Sequence, residues 1–174
     1  MNTNLPVRNA FILLIFSAAW IIMEHVLGFN STRHDVGEFT RLVPALVYWA
    51  SLFLLMARLK KRNGSLKFLE GWKAGIISSF VYAAGFTLVV VIYSIFINPG
   101  FYESYKAYSL SQLEAHQATQ AQIDDALREI DMTYGGSPFS YLLLFLFSFL
   151  WGIVLSAIAS LVFMSKAKTA AGTP

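Results

Sequence analysis

A chain of 174 residues that is 56% hydrophobic and only 13% charged cannot cover a globular surface with charge, since a water-soluble domain carries roughly 25% charged residues. The net charge of +3 comes from Lys and Arg set mostly beside apolar runs, which marks membrane topology rather than a nucleic-acid patch. The absence of Cys excludes disulfides, thiolate metal sites and thiol nucleophiles.

The first apolar run extends from about Asn9 to Phe29. Ser17-Ala18-Ala19 imitates a signal-peptide cleavage site, but the run continues through Trp20-Ile21-Ile22-Met23 and is long enough to span, so it reads as an uncleaved helix. The second run, about residues 40–58, has a clean core of only Leu42–Ala57. That core rises about 24 Å against a hydrocarbon thickness of about 30 Å. Arg41 and Arg58 flank it and are expected to snorkel at the helix ends, with Pro44 in the first turn, where a missing N–H costs little. The third run, Gly75–Ile97, closes at Asn98-Pro99-Gly100, and the fourth runs from about Pro138 to Met164. Neither Gly75–Ile97 nor Tyr141–Met164 contains a charged residue, so neither offers the polar face that a soluble bundle needs. The expected fold class is all-α: a single-domain integral membrane bundle of four transmembrane helices, with a short helical extracytoplasmic insertion between spans three and four.

Lys and Arg set the orientation. Arg8, Arg58, Lys60, Lys61, Arg62, Lys67, Lys73, Lys166 and Lys168 fall on one side, and Arg33, Arg41, Lys106 and Arg128 on the other. The positive-inside rule places the first group, with both termini, in the cytoplasm. The piece between Pro99 and Ser137 is the largest outside lipid. Thr119-Gln120-Ala121-Gln122 fits a capping box, followed by Ile123, Leu127, Ile130 and Tyr134 at helical spacing. Upstream, Phe101, Tyr102, Tyr105 and Tyr108 form an aromatic cluster suited to the membrane interface. Two short helices are expected in the outer segment 101–134, about Phe101–Gln117 and Gln120–Asp131, lying near the outer headgroups. The tail from Ser165 through residues 166–174 reads as disordered.

A set of landmarks then falls in order. Lys61-Arg62-Asn63-Gly64-Ser65-Leu66-Lys67-Phe68 forms a basic link, and Glu70-Gly71-Trp72-Lys73-Ala74-Gly75 opens span three. Ile97-Asn98-Pro99-Gly100-Phe101 closes that span, an acidic helical segment enters at Thr119, and the last span carries Gly152, Ser156 and Ala157 before a short basic tail. In this order and spacing the chain resembles the bacterial membrane family catalogued as domain of unknown function 4199, over roughly Arg8 to Lys168. The resemblance implies four spans and a bacterial inner-membrane setting. It brings no catalytic residue, cofactor or substrate.

Two four-residue repeats of small side chains stand out: Gly71, Gly75, Ser79 and Ala83 in span three, and Ser148, Gly152, Ser156 and Ser160 in span four. Small residues let helix backbones approach in lipid. The stripes therefore read as the packing surface between spans three and four, or alternatively as a homodimer contact. Glu24 and His25 are the ionisable side chains inside a span, and an intramembrane acid is a functional candidate by default. Trp20, Glu24 and Gly28 share a face, which points Glu24 into the bundle, in a structural or interfacial role or else a proton- or cation-linked one. The remaining midplane polar groups are Tyr48, Ser51, Ser79, Tyr82, Thr87, Ser148 and Ser156, with no partnered acids or bases and no inverted repeat of the transporter kind.

No metal or catalytic motif appears in the sequence. His34-Asp35 reads as a solvated loop dipeptide rather than a base with its orienter. Asn30-Ser31-Thr32 and Asn63-Gly64-Ser65 match a common glycosylation pattern. Arg58, Lys60, Lys61, Arg62 and Lys67, with Trp72 nearby, read as a topology anchor with some capacity for anionic lipid. The expected function is that of a non-enzymatic membrane component without cofactor, acting through helix packing and its outer segment on a protein partner or a second copy. The rival is a small transporter or channel subunit using Glu24 and the bundle hydroxyls. An enzyme acting on lipid comes third.

Overall fold

The computed structural model describes residues 4–165, so the expectation for 166–174 lies outside the described residues. Seven α-helices follow in order: α1 Asn4–Val26, α2 His34–Thr40, α3 Leu42–Asn63, α4 Phe68–Ile92, α5 Phe101–Ala115, α6 Gln120–Tyr134 and α7 Pro138–Phe163. A wide π turn, Tyr93–Ile97, prolongs α4. Four stretches are long and apolar enough to cross a membrane: Asn4–Val26, His34–Asn63, Phe68–Ile97 and Pro138–Phe163. Large apolar side chains such as Ile15, Phe96 and Phe147 stand on the outside of the bundle. That surface suits hydrocarbon, not water.

The four long helices form a ring in which α4 packs against α1 and α7, and α3 closes the circuit between α7 and α1. Leu55, Met56, Leu59, Leu66, Ala74 and Ala159 fill one half of the core, with Leu5 and Phe163 packed against them. The start of α1, the α3–α4 link and the end of α7 therefore meet at one end of the bundle, the end that carries most of the basic residues. Ala10, Leu13, Tyr48, Leu52 and Tyr82 fill the middle, where the rings of Tyr48 and Tyr82 stack at 4.3 Å. Asn9, 5% exposed, donates to Ser51 Oγ and Ser78 Oγ at 3.3 Å each, tying α1 to α3 and α4. At the far end the α5–α6 hairpin lies against α2 and the start of α7 as a cap.

Several boundaries depart from the sequence reading, each for a local reason. The first span ends at Val26 rather than Phe29. Gly28 takes φ +77°, its N–H donates to His25 O (3.0 Å), and the Phe29 N–H donates to Glu24 O (2.8 Å). These two bonds form a Schellman cap. The same cap stops α5 at Ala115 instead of Gln117. Gln117 adopts φ 55°, with Gln117 N–Glu114 O at 3.0 Å and Ala118 N–Leu113 O at 3.0 Å. The second span is longer than its apolar core: α3 has 22 residues, about 33 Å at ~1.5 Å per residue. Its added turn is the basic Arg58–Asn63, where cations favour a helix C-terminus, and Gly64 closes it at φ 72°. The third helix begins at Phe68, seven residues before Gly75, with Glu70 in its first turn. In α6 the Thr119–Gln122 capping box forms, and the helix runs on to Tyr134, past Asp131. Ser165 is held in place: its N–H donates to Leu66 O (2.8 Å) and its Oγ accepts from Leu66 N (3.0 Å).

Candidate functional site

The tightest packing in the bundle joins α4 to α7. A Cβ added at Gly71 would lie 2.7 Å from Ser160 Oγ, one at Gly75 would overlap Ser156, and one at Gly152 would overlap Ser79 and the Tyr48 hydroxyl. The pairs Gly71–Ser160, Gly75–Ser156 and Ser79–Gly152 step up one helix and down the other in fours. The two stripes thus meet along these three pairs inside one chain. Ser156 Oγ donates back to Gly152 O at 2.6 Å, so its hydroxyl is satisfied within its own helix. The α1–α4 contact uses another glycine, Gly85, whose added Cβ would lie 2.5 Å from Leu14.

Toward the cap end a polar cluster ties α1, the end of α2 and the π turn that prolongs α4 together. Glu24 is 1% exposed. Its Oε1 accepts from Trp20 Nε1 at 3.0 Å and its Oε2 from Asn30 Nδ2 at 3.5 Å. The Trp20 N–H also lies 3.1 Å from Thr40 O, at the α2–α3 joint. Asn98 Nδ2 donates to Asn30 O (2.9 Å) and to the Tyr93 hydroxyl (3.0 Å). The Tyr93 hydroxyl lies 3.3 Å from His25 Nδ1, and the two rings meet edge-on at 5.8 Å. The π turn that begins at Tyr93 sends its Asn98 N–H back to Tyr93 O at 2.8 Å, so the wide turn and the cluster share a residue. Among the described residues Glu24 has no ion-pair partner.

The cap is held down by a cation. Arg41 does not snorkel outward as its flanking position suggests. Its guanidinium lies over Phe101 (5.1 Å), Tyr105 (4.6 Å) and Tyr134 (6.0 Å). Its Nε and Nη2 are buried without a hydrogen-bond acceptor, so the ring faces are what compensate the charge. His34 is also not solvated: it is 3% exposed, its Nε2 lies 3.1 Å from Ser104 Oγ, and its ring packs on Phe101, Tyr105 and Tyr108. The aromatic cluster expected along the headgroups therefore turns three of its four rings inward around His34 and Arg41. The fourth, Tyr102, donates a short hydrogen bond to Asp131, and Lys106 Nζ reaches the same carboxylate at 3.1 Å. Tyr102 first and Lys106 second hold the Asp131 carboxyl below its ordinary value. Cation–π contacts contribute about 0.5–1 kcal/mol when exposed and about 2 kcal/mol when desolvated. Arg41→Met is therefore expected to cut hydrogen-exchange protection of α5 and α6 amides by roughly tenfold while leaving α4 amides unchanged. Equal loss in α4 would show that Arg41 supports the whole bundle instead.

Between α2, α5 and α6 lies an open cavity of about 460 Å³, lined by Glu38, Tyr105, Tyr108, Gln112, Glu129 and Tyr134 among others. Tyr105 donates to Glu38 Oε1 at 3.3 Å, and burial pushes its phenol upward, so it remains a donor at neutral pH. Tyr105 and Tyr134 belong both to the Arg41 stack and to the cavity wall.

A family model described as protein of unknown function, DUF4199, matches residues 8–165. The chain belongs to this family. Comparisons with curated proteins and with solved structures give no match. The matched region of this DUF4199 protein takes in nearly all of α1 and everything from α2 to Ser165. It therefore contains the seam, the Glu24 cluster and the cap in full. Of the residues singled out from sequence, the structure brings six stripe residues, Gly71, Gly75, Ser79, Gly152, Ser156 and Ser160, into one seam. Glu24 and His25 join one hydrogen-bonded cluster through Asn30, Asn98 and Tyr93. From sequence, Arg41 of this DUF4199 protein reads as a snorkelling flank and His34 as a solvated loop residue, and neither Glu38 nor Glu129 is marked as a site residue. Arg41 is the joint between α2 and α3, and Glu38 lies three residues before it in α2. A lone Arg beside a span carries the same signal whether it snorkels or turns back under aromatic rings.

Proposed function

We propose that this protein is a non-enzymatic component of the bacterial inner membrane. Its termini and basic link lie in the cytoplasm and its α5–α6 cap lies outside, where the cap serves as the docking element for a protein partner. What carries the reading is the build of the cap. Arg41 and three rings fasten it to a bundle whose own packing is locked by the α4–α7 seam. The cap is a fixed shape, and interfaces on rigid elements are more sharply defined than those on free loops. The asymmetry of Lys and Arg supports the orientation.

The test places a photo-crosslinking residue at Glu114, Ala121 or Asp124 in native membranes, and at Lys61 as a position on the opposite end. A discrete adduct from the cap positions alone is the expected result, and differential tagging separates a foreign partner from a second copy. Monomer alone from every cap position overturns the docking reading. Reporter fusions that place Lys61 and Lys166 on opposite faces overturn the orientation. A small transporter or channel subunit is the second reading, favoured by one observation: a buried carboxylate, Glu24, without an ion pair. Flux through proteoliposomes that disappears in Glu24→Gln would establish it.

A further inference from the structure

The cap cavity has an unusual lining. It offers three tyrosines, from α5 and α6, and two carboxylates, Glu38 from α2 and Glu129 from α6, and it contains no Lys, Arg or His. Its charged groups are therefore all negative. Neither acid is in an ion pair, although the Arg41 guanidinium stands behind Tyr105 and Tyr134 on the far side of the wall. Among the described residues the ion pairs are Lys106–Asp131 and Arg128–Asp125, and these occupy both basic residues of the hairpin. The segment 101–134 holds six acidic residues against those two, so its field attracts cations toward the mouth. The volume, about 460 Å³, is within the range of small-ligand sites.

The same aromatic set already holds a cation of the protein's own. Tyr105 and Tyr134 contact the Arg41 guanidinium and also form part of the cavity wall. A neutral guest would use only the rings, and an anion would meet Glu38 and Glu129. A cation uses both, through ring quadrupoles and charge-assisted hydrogen bonds. We propose that this cavity binds a small organic cation, a primary amine or guanidinium, between its tyrosines and the carboxylates of Glu38 and Glu129. This rests on the cap being a recognition element, as proposed above, and adds a ligand class to it.

The test titrates full-length protein in nanodiscs of zwitterionic lipid with agmatine and with butylamine, by calorimetry. Saturable binding of at least one probe is expected, weakened tenfold or more in the double variant Glu38→Gln/Glu129→Gln and weakened by added salt. Absence of saturable binding to wild-type protein overturns the proposal, and so does equal affinity in the double variant. Should the double variant fail to fold, Tyr108→Leu decides: unchanged affinity overturns the proposal. The crosslinking experiment is scored separately. Lost probe binding with intact cap adducts defeats only the cation site, whereas probe binding without adducts defeats only partner docking.

Discussion

Replacing Gly152 with leucine should abolish the folded bundle rather than merely loosen it. A single added Cβ at this position already overlaps Ser79 on α4 and the Tyr48 hydroxyl on α3, so two neighbouring helices must move at once. Overpacking a well-filled core typically costs 1–3 kcal/mol. Here the obstructing atoms sit close to their backbones or at the end of a stacked ring, which puts the expected cost at about 3 kcal/mol or more. Gly75→Leu should behave alike, because its Cβ would overlap Ser156. Gly152→Ala should be measurably destabilised as well, since the first methyl already overlaps. Gly100→Ala serves as the control, because nothing lies within 4 Å of its added Cβ. Thermal unfolding in detergent reads all four variants. A Gly152→Leu protein with the melting temperature of the wild type would show that α4 and α7 do not meet along this seam.

The second large effect is expected at Glu24. Truncation to alanine removes the acceptor for Asn30 Nδ2 and one of the two acceptors near Trp20 Nε1. A buried donor left without a partner costs about 1–3 kcal/mol, and the vacated space adds to that. A loss of roughly 2–3 kcal/mol is expected for Glu24→Ala, with Glu24→Gln falling between it and wild type because the amide oxygen still accepts. The order wild type, Gln, Ala in melting temperature marks an anchor that fastens the α1–α2 loop to the bundle. If the Gln variant melts with the wild type yet loses a measurable flux, the carboxylate acts in transport and the anchor account fails.

How much of this could be read from the chain alone differed by feature, and for physical reasons. The spans were legible because hydrocarbon imposes length and the absence of charge on each helix separately. The stripes were legible because repeats of four along a helix need no knowledge of a partner. What sequence did not disclose is that Gly71 meets Ser160 and Gly75 meets Ser156, since pairing depends on how two helices slide past each other. Helix ends were legible where a side chain signals them, as Thr119 and Gln122 do. They were not legible at Gln117, where an ordinary residue takes a left-handed conformation. The cap cavity was hidden for a further reason: Glu38 and Glu129 lie ninety-one positions apart along the chain.

The antiparallel match between the two stripes also limits how the molecule can move. Teeth that recur every four residues resist sliding, because the side chains seated against the glycines, Ser156 against Gly75 and Ser79 against Gly152, would have to ride over the neighbouring residues of the facing helix. Piston-like travel of α4 against α7 is thereby opposed. Any message carried from the cap to the basic end must pass by tilting this pair as one rod, or through α1 and α3, whose contacts rest on softer hydrogen bonds such as those of Asn9 and Trp20.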